Sequence, residues 1–216
     1  DRGRRVYLDG KDKLPSVTTI LSKTKVDSDG IKAWRARVGE AEAERVMKEA
    51  AQRGSVMHEM LERYVHTNNF DTPAHDAPIA HKMANLIISK GFIYLDEVWG
   101  VEQNIAYPNE YAGTMDCVGV FRKKPTILDF KQTNKPKREE WVEDYYLQLT
   151  AYICAHEKQY GKIDGGTILM ASTGLVFQEF ELSGSKLDEY KDKWWKRVEE
   201  FKTNHAQPRQ ESLQKV

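Results

Sequence analysis

Cysteine is almost missing from this chain. Cys117 and Cys154 are the only two among 216 residues, too few for a four-cysteine zinc or iron–sulfur site, and they imply no disulfide framework. Two reduced, largely buried thiols are expected. No apolar run approaches the roughly 20 residues of a membrane span, and no secretory signal pattern opens the chain. Neither sign of charge prevails, with 33 Lys and Arg against 33 Asp and Glu; a protein that only coats nucleic acid is usually basic overall. The phosphate-loop pattern G-x-x-x-x-G-K-[ST] is absent, so an ATP-driven motor is not expected within the chain. Internal repeats and low-complexity tracts are lacking as well.

What is present is an ordinary globular composition, 40% hydrophobic and 31% charged. The length suits one domain with a full core, or a compact catalytic domain with an added lobe. The first residue is Asp1 rather than Met, which leaves a trimmed leader open. After a basic start (Arg2, Arg4, Arg5), Leu14-Pro15 leads into a short helix at 16–21, opened by Ser16. A polar loop is expected at 26–30 and a helix from Ile31 to about Ala51. Arg53-Gly54-Ser55 reads as a break, with Ser55 capping a new helix whose apolar face is Met57, Met60, Leu61, Tyr64 and Val65. Residues 66–76 read as a loop, and 79–89 as a helix closed by Gly91.

The pattern changes after Gly91. Residues 98–107, 113–121 and 126–131 read as strands, joined by turns at Pro108-Asn109 and Lys123-Lys124-Pro125. A long helix at 138–159, a hairpin (167–172 and 175–182, about Thr173-Gly174) and an amphipathic helix at 187–201 complete the chain. The expectation is an α/β or α+β core with a helical N-terminal lobe: residues 1–92 as the lobe, 93–204 as the core and 205–216 as a polar tail.

The chemistry concentrates around Asp129-Phe130-Lys131. Residues two apart on a strand share a face, so Asp129 and Lys131 project together and Phe130 the other way. A carboxylate and an amine side by side on a buried strand are costly unless a ligand or metal uses them. Asp116 sits in the preceding strand, and a turn near Lys124 brings it beside Asp129. Two carboxylates can hold a hard divalent cation through oxygen. Such a cation polarises a phosphodiester and lowers the pKa of a bound water, while Lys131 orients that water or offsets developing charge. Balanced net charge suits an acidic metal site set among local basic patches. Asp-x-Lys alone recurs by chance as a surface salt bridge. His58 alone is more often a surface or core histidine. Gln148 and Tyr152, four apart on one helix face, pack as readily as they bind. Lys135, Lys137 and Arg138 suit phosphate contact.

The ordered set is more specific: Arg53-Gly-Ser-x-x-His58, Gly113-Thr-x-Asp116, Asp129-x-Lys131, Gln148-x-x-x-Tyr152. It resembles the RecB-like nuclease branch of the PD-(D/E)XK superfamily. The segment 15–21, with Trp34, Gly39 and Lys135-Pro136-Lys137, is similar to the mitochondrial genome maintenance exonucleases and their phage relatives. The resemblance implies a restriction-endonuclease-like core, a mixed central sheet flanked by helices. It implies magnesium or manganese on His58, Asp116, Asp129 and the Phe130 carbonyl, with Asp116, Asp129 and Lys131 catalytic. Gln148 and Tyr152 become DNA-contacting or site-supporting residues, joined by Lys135, Lys137, Arg53 and Trp34. Glu102 matches an accessory acidic position, whereas Glu59 and Glu62 are read as solvated or salt-bridged. Relatives that carry an iron–sulfur cluster hold it on four cysteines, so none is expected here.

The expected activity is exonucleolytic, on DNA with a free single-stranded end, leaving 5′-phosphates. It would serve phage-type DNA degradation, recombination or repair, or organelle DNA maintenance. The expected compartment is the cytoplasm, with the mitochondrion left open by the N-terminus. Two rivals are a nuclease-derived DNA-binding module without turnover and a structure-specific or double-strand nuclease.

Overall fold

A computed structural model describes residues 7–9, 12–25, 29–67 and 78–205. The basic start, residues 26–28 and 68–76 of the two expected loops, and the tail from 206 lie outside the described residues. Two short strands that the sequence did not announce, β1 (Tyr7–Asp9) and β2 (Asp12–Leu14), pair antiparallel. Helices α1 (Val17–Lys23), α2 (Asp29–Val38), α3 (Glu40–Thr67) and α4 (Pro78–Lys90) follow. Next come β3 (Leu95–Tyr107), β4 (Tyr111–Phe121), β5 (Lys124–Thr133), α5 (Glu143–Gln159), β6 (Gly165–Ser172), β7 (Phe177–Ser183) and α6 (Gly184–His205).

The main sheet runs in the order β3-β4-β5-β6-β7. Three strands form an antiparallel meander, α5 crosses over to make β5 and β6 parallel, and β7 returns antiparallel. This is the mixed sheet flanked by helices that the family resemblance implied. Both faces are covered, so β6 is buried at every position, as a strand between two helical layers must be. One face packs Ile127, Ile168 and Met170 against α1, α5 and α6. The other packs Leu128, Phe130 and Leu169 against α3 and α4. The N-terminal helices thus share both cores with the sheet.

Helix boundaries depart from the sequence reading in an informative way. Ser16 caps α1 as expected, accepting the Thr19 N–H at 3.1 Å. Residues 29 and 30 belong to α2 rather than to a loop. The expected single helix from Ile31 to Ala51 is interrupted at Gly39, whose φ of 84° and whose N–H to the Arg35 carbonyl close α2 in the left-handed manner that glycine favours. The expected break at Arg53-Gly54-Ser55 does not exist. Helix α3 runs through it for 28 residues and on past His66, and Ser55 Oγ donates to the Ala51 carbonyl at 3.0 Å instead of capping. The β4–β5 turn falls one residue earlier than expected, at Arg122 and Lys123, with φ of 50° and 66°. The long helix starts at Glu143 rather than 138, after a turn of 3-10 helix at Glu139–Trp141.

Candidate functional site

The site forms where β4 and β5 part. Their ladder runs from Phe121↔Lys124 to Cys117↔Leu128 and goes no further, while β5 stays paired to β6 through Thr133. Asp116 is the next residue of β4 beyond the fork. Its Oδ2 accepts the Phe130 N–H at 2.6 Å, so a side chain replaces the strand carbonyl that no longer reaches. A buried backbone donor needs such a partner. The open edge of β4 is met farther on by the segment before α1, where the Ala112 N–H donates to the Pro15 carbonyl at 3.0 Å. That contact brings the start of α1 to the mouth of the fork.

Asp129 and Lys131 project from the same face of β5, as the strand period required, and Phe130 enters the opposite core. Lys131 Nζ lies 2.8 Å from Asp129 Oδ1 and 2.6 Å from Oδ2. Asp129 is 1% exposed, and its Oδ2 has no hydrogen bond of good geometry among the described residues. Burial pushes its carboxyl up to about 6, against the pull of Lys131. For Asp116, burial acts in the same direction but is outweighed. His58, Lys131 and the Phe130 N–H hold it below the ordinary carboxylate range.

His58 comes from the middle of α3, not from a first turn. Its Nδ1 is 3.5 Å from Asp116 Oδ1 and 4.0 Å from Glu102 Oε1. Burial alone would lower its pKa, but Asp116 raises it above the usual histidine value. One donor atom each from His58, Glu102 and Asp116 lies within 4.8 Å of the others. Glu102 faces Asp116 across the β3–β4 ladder, between the pairs Val101↔Cys117 and Gln103↔Met115. Its φ of 49° is a left-handed conformation uncommon for a residue with a side chain. Two carboxylates and an imidazole, with the buried Asp129 carboxylate nearby, fit a hard divalent cation that prefers oxygen ligands.

The surrounding motifs explain how these groups are held. Arg53 Nε donates to Gln132 Oε1 at 2.9 Å and its guanidinium also bonds Asn134 Oδ1. Gln132 Nε2 donates to the Ala50 carbonyl at 3.0 Å. A Cβ on Gly54 would stand 3.4 Å from Gln132 Cγ. Arg53-Gly54 thus clamps α3 onto β5, and His58 follows about one turn later, aimed at the fork. Gly113 has a comparable reason: a Cβ there would meet Tyr152 Cε1 at 2.6 Å. Gln148 Nε2 donates to Tyr152 Oη at 3.0 Å, joining the pair expected on α5.

A cleft of about 940 Å³ opens onto these groups, lined by His58, Glu102, Asp116, Lys131, Gln148 and Tyr152 among others. Its walls come from α1, α3 and α5 and its floor from the strands. Phe130 of β5 and Glu59 and Glu62 of α3 also border it. Asp129, buried and ion-paired to Lys131, is neither in the cleft lining nor in the cluster of His58, Glu102 and Asp116. Lys135 is exposed, and half-buried Lys137 is fixed through its main chain to Gln178, with both bonds at 2.8 Å. Trp34 is half-buried on α2 and is not part of the cleft lining; its neighbour Arg35 turns back to Glu40 and Met47 of α3. The sequence reading missed Tyr145, which lines the cleft. Its place three residues before Gln148, hence on the same helix face, was the available signal.

No family model matches the chain. Among curated proteins it is similar to mitochondrial genome maintenance exonuclease 1 of Mus musculus, 27% identical over 208 residues, covering 88% of this chain and 60% of that protein. The Homo sapiens protein of the same name is 26% identical over 208 residues, with 87% and 58% covered. The Xenopus tropicalis protein is 31% identical over 100 residues, with 43% and 28% covered. The chain spans about 60% or less of the length of these relatives. The chain is thus similar over most of its length to the mitochondrial genome maintenance exonucleases, and that similarity, with the mixed sheet and the motif residues gathered at its fork, supports a RecB-like nuclease fold.

Proposed function

We propose that this chain hydrolyses DNA phosphodiesters with a bound magnesium or manganese ion, working inward from a free single-stranded end and leaving 5′-phosphates. The observation that carries this reading is the convergence of His58, Glu102 and Asp116 within 4.8 Å, beside the Asp129–Lys131 pair and inside one cleft. Exonucleases among the relatives support it. A bound hard cation supplies Lewis acidity toward the phosphodiester.

The chain's own groups do the rest. His58, Glu102 and Asp116 would hold the cation, and Asp129 and the Phe130 carbonyl would add oxygen ligands. Lys131 remains protonated: burial opposes its charge, but Asp129 and Asp116 prevail and raise its pKa. Its ammonium is positioned to orient the attacking water and to offset charge that develops on the phosphoryl oxygens. The water attacks phosphorus in line with the leaving 3′-oxygen. The attacking water releases its proton to solvent, the P–O3′ bond breaks and the leaving 3′-oxygen takes up a proton from solvent, giving a 3′-hydroxyl and a 5′-phosphate. Gln148 and Tyr152 steady the strand along α5.

Walls on three sides favour one strand over a duplex, and a strand gripped in this way is entered from an end. The complete Asp116, Asp129 and Lys131 set disfavours a binding module without turnover, because carboxylates that face phosphates weaken binding unless a cation intervenes. The test is a panel of linear single-stranded DNA, a closed circle of the same sequence, and duplex, each with manganese or with EDTA. Linear DNA is expected to shorten in manganese alone and the circle to survive. Cleavage in EDTA overturns the metal chemistry. Equal loss of the circle overturns entry from an end.

A further inference from the structure

A positive region adjoins Lys131, and the mechanism above uses neither its Tyr145 nor its further lysines. The ring of Tyr145 stands between two lysines. Lys131 Nζ is 5.3 Å from its centroid and Lys137 Nζ is 5.9 Å away. Lys25, at the end of α1, lies near the same place. It is ion-paired at 2.8 Å to Asp144, the residue before Tyr145. Lys137 is held differently. Its main chain is fixed at both ends to Gln178, so the backbone cannot swing the ammonium away. Among the described residues no carboxylate pairs with it.

A half-buried cation with a fixed backbone and no acid is uncomfortable in the protein alone. Burial, and then the neighbouring charge of Lys25, push the Lys137 pKa down. An anion at this spot relieves both effects. Tyr145 adds an aromatic face that favours two ammoniums at once.

The geometry points to a phosphate subsite formed by Lys137, Tyr145 and Lys25, which grips the backbone phosphate next to the scissile one and sets the strand's register over Lys131. This rests on the nuclease reading, since it takes a nucleic-acid phosphate as the ligand. It goes beyond that reading by naming Tyr145 and Lys25 and by separating register from chemistry.

The test measures binding in calcium, which needs no turnover, and cleavage in manganese as a separate readout. The probe is a fluorescein-labelled single-stranded oligonucleotide followed by anisotropy across a salt series. Lys137→Ala is expected to weaken binding about tenfold and to reduce the salt slope by about 0.7, the share of one phosphate contact on a single strand. Lys137→Arg restores both. Lys196→Ala, which removes an equal charge from the exposed face of α6, leaves them as in the parent. A series with one neutral methylphosphonate linkage moved along the strand should show a single position that weakens the parent and leaves Lys137→Ala unchanged. A Lys137→Ala protein with parental affinity and slope overturns the subsite, as does equal sensitivity of both proteins at every linkage. A parent that binds with the Lys137-dependent slope but never cleaves overturns the nuclease reading and keeps the subsite.

Discussion

Asp129 and Lys131 illustrate what two residues on one strand face can do. Each is shielded from water, and each is tolerable because the other is there. Removing one leaves an uncompensated buried charge, which is the expensive case. Lys131→Ala and Asp116→Ala are each expected to lower the cleavage rate by on the order of 10²–10³-fold, the scale of losing one charge-stabilising group. Lys131→Ala cutting at the parental rate refutes the role given to that lysine. Proton uptake gives a second expectation at this scale. In the metal-free protein Asp129 is raised to about 6 and His58 is raised above its usual value. Both therefore hold protons in mildly acidic solution, and His58 must release its proton to ligate. Manganese affinity should fall as pH drops from about 8 to about 5.5, with proton release on binding in the lower range. Isothermal titration in two buffers of different ionisation enthalpy reads this directly, and a pH-independent affinity with no released proton rules it out.

At the scale of elements, the decisive contact is that of α3 with β5. His58 sits on a helix 28 residues long, so its aim depends on how that helix is registered against the sheet. Arg53, Gln132 and the Ala50 carbonyl provide the registration. Arg53→Ala and Gln132→Ala should each destabilise the protein by about 1–2 kcal/mol, as loss of a partly buried hydrogen bond does. The double variant should lose less than the sum, because the two side chains share one contact. Both singles should also weaken manganese binding, since the clamp acts through His58. Additive losses with parental manganese affinity would place Arg53 elsewhere, in line with a direct role on DNA.

For the whole molecule, the helices on the two faces meet the fork from opposite sides, α3 carrying His58 and α5 carrying Tyr145, Gln148 and Tyr152. A cation held between strands and α3 therefore ties separate elements together. Anything that binds only the native state raises its stability. Manganese at about 100 times its dissociation constant should add about 2.7 kcal/mol, seen as a rise in Tm. That rise should vanish in Asp116→Ala. A parental Tm indifferent to manganese would contradict the site.

Much of this organisation was legible in the chain itself. The period of two on β5 was enough to put Asp129 and Lys131 on one face and Phe130 on the other, because pleating is a local property. Ser16 signalled the start of α1 through a local hydrogen bond. The helical spacing of Met57, Met60 and Leu61 marked a buried face that the structure retains. Other features depended on residues distant in sequence. Gly54 looked like a helix break, yet it is the close approach of Gln132 that occupies its bare face. Gly39, which does end a helix, carried the same local signal. Glu102 joined the cluster only because β3 sets it opposite Asp116, and Trp34 was drawn to a cleft that α2 does not line. Asp116 bonds the Phe130 N–H because β5 leaves β4 after Leu128. Local pattern determined which side chains share a face; long-range packing alone decided which faces meet, because fork, clamp and cleft are made by elements far apart in the chain.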